Sequence, residues 1–188
     1  MSNHELLDAL VDLPEPDRLA AIRTLSEDER REFRHHWKLW ARNRQLAPPG
    51  DWTTWLVLAG RGFGKTRAGA EWIRTTAQAD PAARIALVGA SLGEVRAVMV
   101  EGESGILAVC PPGQIPSFEP SLRRLTWGNG AQATLYSAGE PGTRVLLREG
   151  CDRTLATCAG RYGNAINFQG EPHLPGNDLI TRYPSPSA

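Results

Sequence analysis

The chain has 188 residues, room for one domain of ordinary size. Lysine and arginine number 21, as do aspartate and glutamate, so the net charge is zero and excludes a chain that coats nucleic acid or anionic lipid by charge alone. The longest apolar runs are far shorter than the roughly 20 residues of a membrane span, and we expect no secretory signal from the first residues of the sequence. The three cysteines are too few for a disulfide scaffold. We expect a cytoplasmic protein with no membrane partner.

Residues 1–46 are predicted to form a helical N-terminal segment. Residues 17–25 have helical spacing, and Ser26 with Glu29 forms a capping box that begins another helix. That helix carries three aromatic side chains on one face, which are Phe33, Trp37 and Trp40. Residues 30–44 contain six lysine or arginine side chains interleaved with the aromatic ones. This pattern is found both in nucleic-acid-binding helices and in amphipathic surface helices. We favour an amphipathic helix.

Residues 47–138 are predicted to form an α/β core. In chain order we expect a strand at 52–58, a helix at 66–76, a buried strand at 85–88, a helix at 91–100 and a hairpin at 122–137. A strand, a helix and a second buried strand make a βαβ unit, which is typical of a parallel sheet. The fold class is therefore α/β with a parallel sheet core.

Residues 139–188 are predicted to form a divergent, poorly ordered tail. Glycine and proline make up 12 of these 50 residues, against 21 of the first 138. That share approaches the composition of low-order chains, and no sustained periodicity accompanies it.

The strongest motif lies at residues 59–66, which read AGRGFGKT. It fits the phosphate-binding loop G-x4-G-K-[ST] with alanine at the first position, and it stands between a predicted strand and a predicted helix. Glycines in such a loop permit positive φ, so successive amides can face phosphate oxygens. The alternative is a glycine-rich turn that precedes Lys-Thr by chance. The loop predicts a nucleotide site built from Ala59, Gly60, Arg61, Gly62, Phe63, Gly64, Lys65, Thr66 and Arg67.

Three residues of this loop have predicted chemical roles. Lys65 can reach the β- and γ-phosphates, and the Thr66 hydroxyl can ligate Mg²⁺. Arg61 could offset charge at the γ-phosphate in the manner of an arginine finger, or it could be a solvated loop residue. The sequence leaves both interpretations of Arg61 open.

A second motif, residues 89–93, fits the nucleophile elbow of esterases with Ser91 as nucleophile. Asp152 and His173 follow in the order of a catalytic triad. Ser91 and Glu94 also form a capping box, which explains the serine without catalysis. We favour the cap.

An ATPase also needs a metal-binding acid after a second apolar strand. The chain contains no four apolar residues followed by Asp-Glu, and the nearest similar stretch, residues 145–149, reads VLLRE with an arginine that would repel Mg²⁺. The sequence therefore predicts phosphate binding without an evident acid for hydrolysis.

Several stretches resemble the large terminase subunit of tailed phages and gene transfer agents over roughly the first 138 residues. They read QLAPPGDW at 45–52, WLVLAGRGFGKTRAGAEWIR at 55–74, RIALVG at 84–89, VMVEGESGIL at 98–107 and LTWGNGAQATLYS at 125–137. The resemblance implies an ATP-driven motor that packages double-stranded DNA through a portal ring, with a small terminase subunit as a further partner. It also implies a RecA-like ATPase domain followed by a nuclease domain.

The resemblance implies roles for four residues: adenine contact for Gln45, action in cis for Arg61, phosphate binding for Lys65 and Mg²⁺ ligation for Thr66. The pattern ends after residue 138, as a frameshift, a premature stop or an insertion would produce. We therefore expect a partial RecA-like fold from a truncated terminase that binds ATP and Mg²⁺ with little turnover. The alternatives are an inert prophage-derived fragment, or an unrelated P-loop NTPase whose metal-binding acid comes from the tail (Glu149 or Asp152) or from a partner chain.

Overall fold

The computed structural model describes residues 9–10, 12–49, 52, 54–140, 153–160 and 163–170. The N-terminal part is helical, as predicted, with α1 (Glu15–Thr24), α2 (Glu27–His35), α3 (Trp37–Trp40) and a 3₁₀ turn (Asn43–Gln45). None of the helices among the described residues is long and apolar enough to cross a membrane.

The predicted capping box is confirmed at the start of α2. The Ser26 hydroxyl accepts from the Glu29 amide at 3.3 Å, and the Glu29 carboxylate accepts from the Ser26 amide at 2.7 Å. Hydrogen bonding by the Ser26 side chain, and next by its backbone amide, lowers the pKa of Glu29 because it favours the charged carboxylate. The predicted single aromatic helix is wrong in one respect, since non-helical backbone at His36 (φ −81°, ψ 88°) separates α2 from α3.

The remaining chain alternates strands and helices. In order these are β1 (Thr54–Leu58), α4 (Lys65–Ala79), β2 (Arg84–Gly89), α5 (Leu92–Glu94), a π-helical segment (Val95–Val100), α6 (Ile106–Val109), β3 (Ser117–Glu119), β4 (Arg124–Thr126), β5 (Gln132–Ser137), β6 (Arg153–Gly160) and β7 (Gly163–Gly170). The structure confirms the strands predicted at 52–58 and 85–88, the helix predicted at 66–76 and the β4–β5 hairpin. The α/β class is therefore confirmed, whereas α6, β3, β6 and β7 were not predicted.

The strands form one sheet in the order β1-β7-β6-β2-β5-β4-β3. Only β6, β2 and β5 pair in parallel, whereas the other neighbours pair antiparallel. The predicted parallel core is therefore corrected to a mixed sheet. The reason is that only two residues separate β6 from β7, so the two strands pair as an antiparallel hairpin, and this hairpin lies between β1 and β2.

The β6–β7 hairpin belongs to residues 139–188, of which the structure describes 139–140, 153–160 and 163–170, and it fixes the direction of β1. Because β1 and β7 are antiparallel, as are β7 and β6, the strand β1 points in the same direction as β6 and β2. The carboxyl ends of β1, β6, β2 and β5 consequently meet at one edge of the sheet. Ligands of open α/β sheets bind at this edge.

The main core lies between the sheet and the helices that follow β1 and β2. β2 is buried on both faces, as its continuous apolar sequence predicted. β1 alternates instead, burying Val57 and exposing Leu56 and Leu58. α4 contributes Ala70, Ile73 and Ala77 to the core. A separate small cluster around Leu10 and Leu25 holds the N-terminal helices together.

Candidate phosphate-binding site

The loop between β1 and α4 has the backbone that its glycines predicted. Gly62 has φ +80° and Gly64 has φ +88°, both in the left-handed region that side chains rarely adopt. Gly64 is the N-cap of α4, and no side chain caps that end of the helix. The first amides of α4 are thus available to an anion, which the helix dipole also favours.

Lys65 lies along the inside of the loop. Its ammonium donates to the carbonyl of Ala59 at 2.7 Å and to that of Gly60 at 2.8 Å, and the residue is only 9% exposed. An ammonium has three donors, so one remains after these contacts. Two backbone carbonyls at the start of the loop therefore hold the Lys65 ammonium in place.

The outer side of the loop is open. A Cβ added at Gly60 or Gly62 would meet no described atom within 4 Å. Arg61 is exposed, and Phe63 and Thr66 are half-buried. Residues 59–66 thus lie in the loop and first turn between β1 and α4, with Arg61 exposed to solvent.

Gln45 reaches the same loop from the N-terminal segment. Its Nε2 donates to the carbonyl of Phe63 at 2.8 Å, and its Oε1 accepts from the amide of Arg42 at 2.9 Å. The residue is 7% exposed. The structure therefore places Gln45 beside the loop backbone, on the side from which the N-terminal segment approaches.

Arg67 points away from the loop, although the sequence grouped it with the phosphate site. Its guanidinium contacts the carboxylate of Glu71 at 2.7 Å and stacks 5.6 Å from the ring centre of Trp37. The other oxygen of Glu71 accepts from Arg74 at 2.9 Å, and Arg74 also donates to the His35 carbonyl at 3.1 Å. This group of Arg67, Glu71 and Arg74, the Glu71 triad, joins α4 to the N-terminal helices.

The Glu71 triad was not predicted from the sequence. The signal was present, because the three residues have i, i+4 and i, i+3 spacing on one helix. Such spacing also occurs on solvated helix faces, where it contributes little. In this structure Glu71 is fully buried, and its partner Arg74 contacts α2 through the His35 carbonyl.

The predicted alternative at Ser91 has a structural explanation. The Ser91 hydroxyl accepts from the Glu94 amide at 3.2 Å, as the N-cap of α5. Asp152 and His173, the other members of the suggested triad, lie outside the described residues. The cap accounts for the serine within the described part of the chain.

The metal-binding acid that an ATPase needs is not found on β7 or β6, the two strands that lie between β1 and β2. The end of β1 at Leu58 is level with Ala165 of β7, which is level with Cys158 of β6. Neither described strand contains an aspartate or a glutamate. Glu149 and Asp152 lie outside the described residues. Among the described residues no three acidic, histidine or cysteine side chains cluster as a metal site, so Thr66 is the metal-ligand candidate that the motif provides.

Burial raises the pKa of the Cys110 thiol to about 11, and the nearby charges of Arg74 and Glu71 have smaller, opposing effects on it. The folded chain therefore holds the thiol proton more tightly than the unfolded chain, in which cysteine titrates near pH 8.5. Stability is fully present below about pH 8.5 and falls, by on the order of 2–3 kcal/mol, as pH rises to 11. We expect a smaller fall in Cys110→Ala, measured by urea unfolding at pH 8, 9.5 and 11. Equal slopes for the two proteins would contradict this expectation.

Two family profiles match the chain. The profile described as terminase large subunit, T4likevirus-type, N-terminal matches residues 56–145, from β1 through β5. The profile described as phage conserved hypothetical protein BR0599 matches residues 124–178, which include β6 and β7. Neither a curated protein nor a solved structure matches the chain. The two matches overlap at residues 124–145, so the terminase similarity extends past residue 138, where the sequence predicted its end. Residues 146–178 are similar to the second phage family.

Proposed function

We propose, from the premise that residues 56–145 belong to the N-terminal part of the phage terminase large subunit family, that this chain binds ATP with Mg²⁺ on the loop of residues 59–66. One observation carries the proposal. The loop connects β1 to an uncapped α4 through two left-handed glycines, with the ammonium of Lys65 on its inner side. This arrangement suits a triphosphate, because amides and a cation converge on one open surface.

Each loop residue has a proposed part in holding the nucleotide. The amides after Gly62 and Gly64 would receive phosphate oxygens, and Lys65 would exchange a carbonyl contact for the β- and γ-phosphates. The Thr66 hydroxyl would hold Mg²⁺, which neutralises phosphate charge when bound. Arg61, exposed on the solvent side, would stabilise charge at the γ-phosphate. These roles extend the family premise to this chain.

We further propose that the sheet is a partial RecA-like ATPase core. Two features support this. β6, β2 and β5 are parallel, and the loop stands at the edge where their carboxyl ends meet. The hairpin β6–β7 occupies the position beside β1, and in this proposal it takes the place of the strand that would carry the metal-binding acid. Turnover is therefore expected to be slow, as in a motor subunit lacking that acid.

Partners follow from the same premise. Double-stranded DNA, the portal and the small terminase subunit are the partners proposed for a packaging ATPase, and this chain would engage them only through the part of the motor that it retains. The competing proposals are an inert prophage-derived fragment and a P-loop NTPase completed by another chain. The inert fragment predicts no ATP binding, and the completed NTPase predicts measurable turnover.

The test is calorimetric titration of the whole chain with ATP and Mg²⁺, alongside a phosphate-release assay. We expect saturable, Mg²⁺-dependent binding and a release rate close to the buffer blank. Absence of binding would favour the inert fragment. Measurable turnover would favour a completed NTPase, and loss of that turnover in Glu149→Ala or Asp152→Ala would locate the acid in the tail.

A further inference from the structure

We infer that Gln45 is a positioning residue that braces the phosphate loop, and that it does not read the nucleotide base. The expected changes in ligand affinity rest on the proposed function. The contact between Gln45 and the loop does not depend on it.

The hydrogen bonds fix the orientation of the carboxamide. A carbonyl oxygen, that of Phe63, faces one end of the group and requires a donor, which is Nε2. An amide N–H, that of Arg42, faces the other end and requires an acceptor, which is Oε1. The two contacts agree, so both polar atoms of Gln45 have partners within the protein.

The side chain also touches the loop at the residue before the lysine. A Cβ built on Gly64 would lie 2.6 Å from Nε2 of Gln45, closer than van der Waals contact permits. Gln45 therefore lies against the backbone at the point where the chain turns with positive φ into α4. A shift of this side chain would release the turn that directs Lys65 and the first helical amides.

A second contact from the same segment lies beside the first. The guanidinium of Arg42 stands 6.0 Å from the ring centre of Phe63, and Arg42 is the N-cap of the 3₁₀ turn that ends at Gln45. The turn thus holds Phe63 by its carbonyl and by its ring. The N-terminal segment braces the middle of the loop from outside.

Base recognition would demand a different use of the carboxamide. An amide that reads adenine presents its donor and its acceptor together to one edge of the base. In Gln45 the two atoms are directed to the protein backbone, and 7% exposure leaves little surface for a base. Removing the carboxamide should therefore lower the affinity of every ligand whose phosphates bind the loop, whether or not the ligand carries a base.

The test compares Gln45→Met, which is neutral and of similar size, with the wild-type chain. The probes are ATP, GTP and inorganic tripolyphosphate, each with Mg²⁺. We expect all three affinities to fall by a similar factor, roughly 3- to 10-fold, the effect of losing a net hydrogen bond or two. Gln78→Met is the matched control, because Gln78 lies exposed near the far end of α4, and its affinities should stay at wild-type values.

Amide hydrogen exchange provides a measurement that needs no ligand. The Ala68 amide donates to the Gly64 carbonyl in the first turn of α4. In Gln45→Met we expect this amide to exchange several-fold faster, while the Leu87 amide of buried β2 keeps its wild-type rate. A general loss of structure would accelerate both, and that result would overturn a local brace.

Two further results would overturn the inference. One is loss of ATP affinity alone, with GTP and tripolyphosphate unchanged, because that pattern means adenine recognition. The other is unchanged exchange at Ala68. If the wild-type chain binds none of the probes, the proposed function fails, and the exchange rates still decide whether Gln45 braces the loop.

Discussion

Replacement of Glu71 by alanine is expected to lower the free energy of unfolding by about 3 kcal/mol. Glu71 is fully buried and accepts from Arg67 and Arg74. Its loss leaves two cations facing each other, with the side chain of Arg74 only 12% exposed. It also releases the arginine that holds the His35 carbonyl. The measurement is urea unfolding followed by circular dichroism.

An exposed ion pair provides the matched control. Arg96 and Glu101 meet at 2.9 Å, but their side chains are 50% and 41% exposed. Glu101→Ala should therefore change stability by less than about 0.5 kcal/mol. A Glu71→Ala effect no larger than that of Glu101→Ala would mean that the buried triad does not hold the N-terminal helices on α4.

Replacement of Lys65 by alanine is expected to weaken ATP binding by about 100-fold or more. The side chain supplies the cation for two phosphates, and charge-assisted hydrogen bonds contribute roughly 1.5–3 kcal/mol each. The loss should be similar for GTP, since the contact is to phosphate. Calorimetric titration of the variant measures it.

Lys38→Ala is the control for this substitution, because it removes the same charge from α3. Its ATP affinity should stay within about twofold of wild type. Folding of Lys65→Ala is checked by its circular dichroism spectrum, since the lysine also contacts the carbonyls of Ala59 and Gly60. A folded Lys65→Ala protein that binds ATP normally would place the nucleotide elsewhere.

Local patterns allowed much of the fold to be predicted. The loop glycines, the Ser26 capping box and the continuous apolar sequence of β2 each depend on residues close in the chain, and the structure contains all three. Such features follow from backbone geometry and short-range hydrogen bonds. They need no knowledge of what packs against them.

Long-range pairing was harder to predict. The segment 153–170 is rich in small residues and lacks a clear two-residue alternation, so its strands were not expected. Their insertion between β1 and β2 changes the sheet from parallel to mixed. Pairing partners far apart in sequence are not encoded in local periodicity.

The candidate site divides in the same way. The motif identified the loop and Lys65. The contact of Gln45 with the loop and the contact of the Glu71 triad with α2 instead join segments that are far apart in the chain. Gln45 was singled out by resemblance, with a role in adenine contact. Its geometry instead favours a role in holding Phe63 and Gly64.

Thermal unfolding of the whole chain at increasing concentrations of ATP with Mg²⁺ is the measurement that decides whether the folded loop binds ATP. A ligand that binds only the folded state at 100 times its Kd adds about 2.7 kcal/mol of stability. We expect one cooperative transition whose Tm rises by several degrees with the logarithm of ATP concentration. A cooperative transition whose Tm is independent of ATP concentration would contradict ATP binding by a folded phosphate loop. A broad transition that ATP does not shift would contradict it as well.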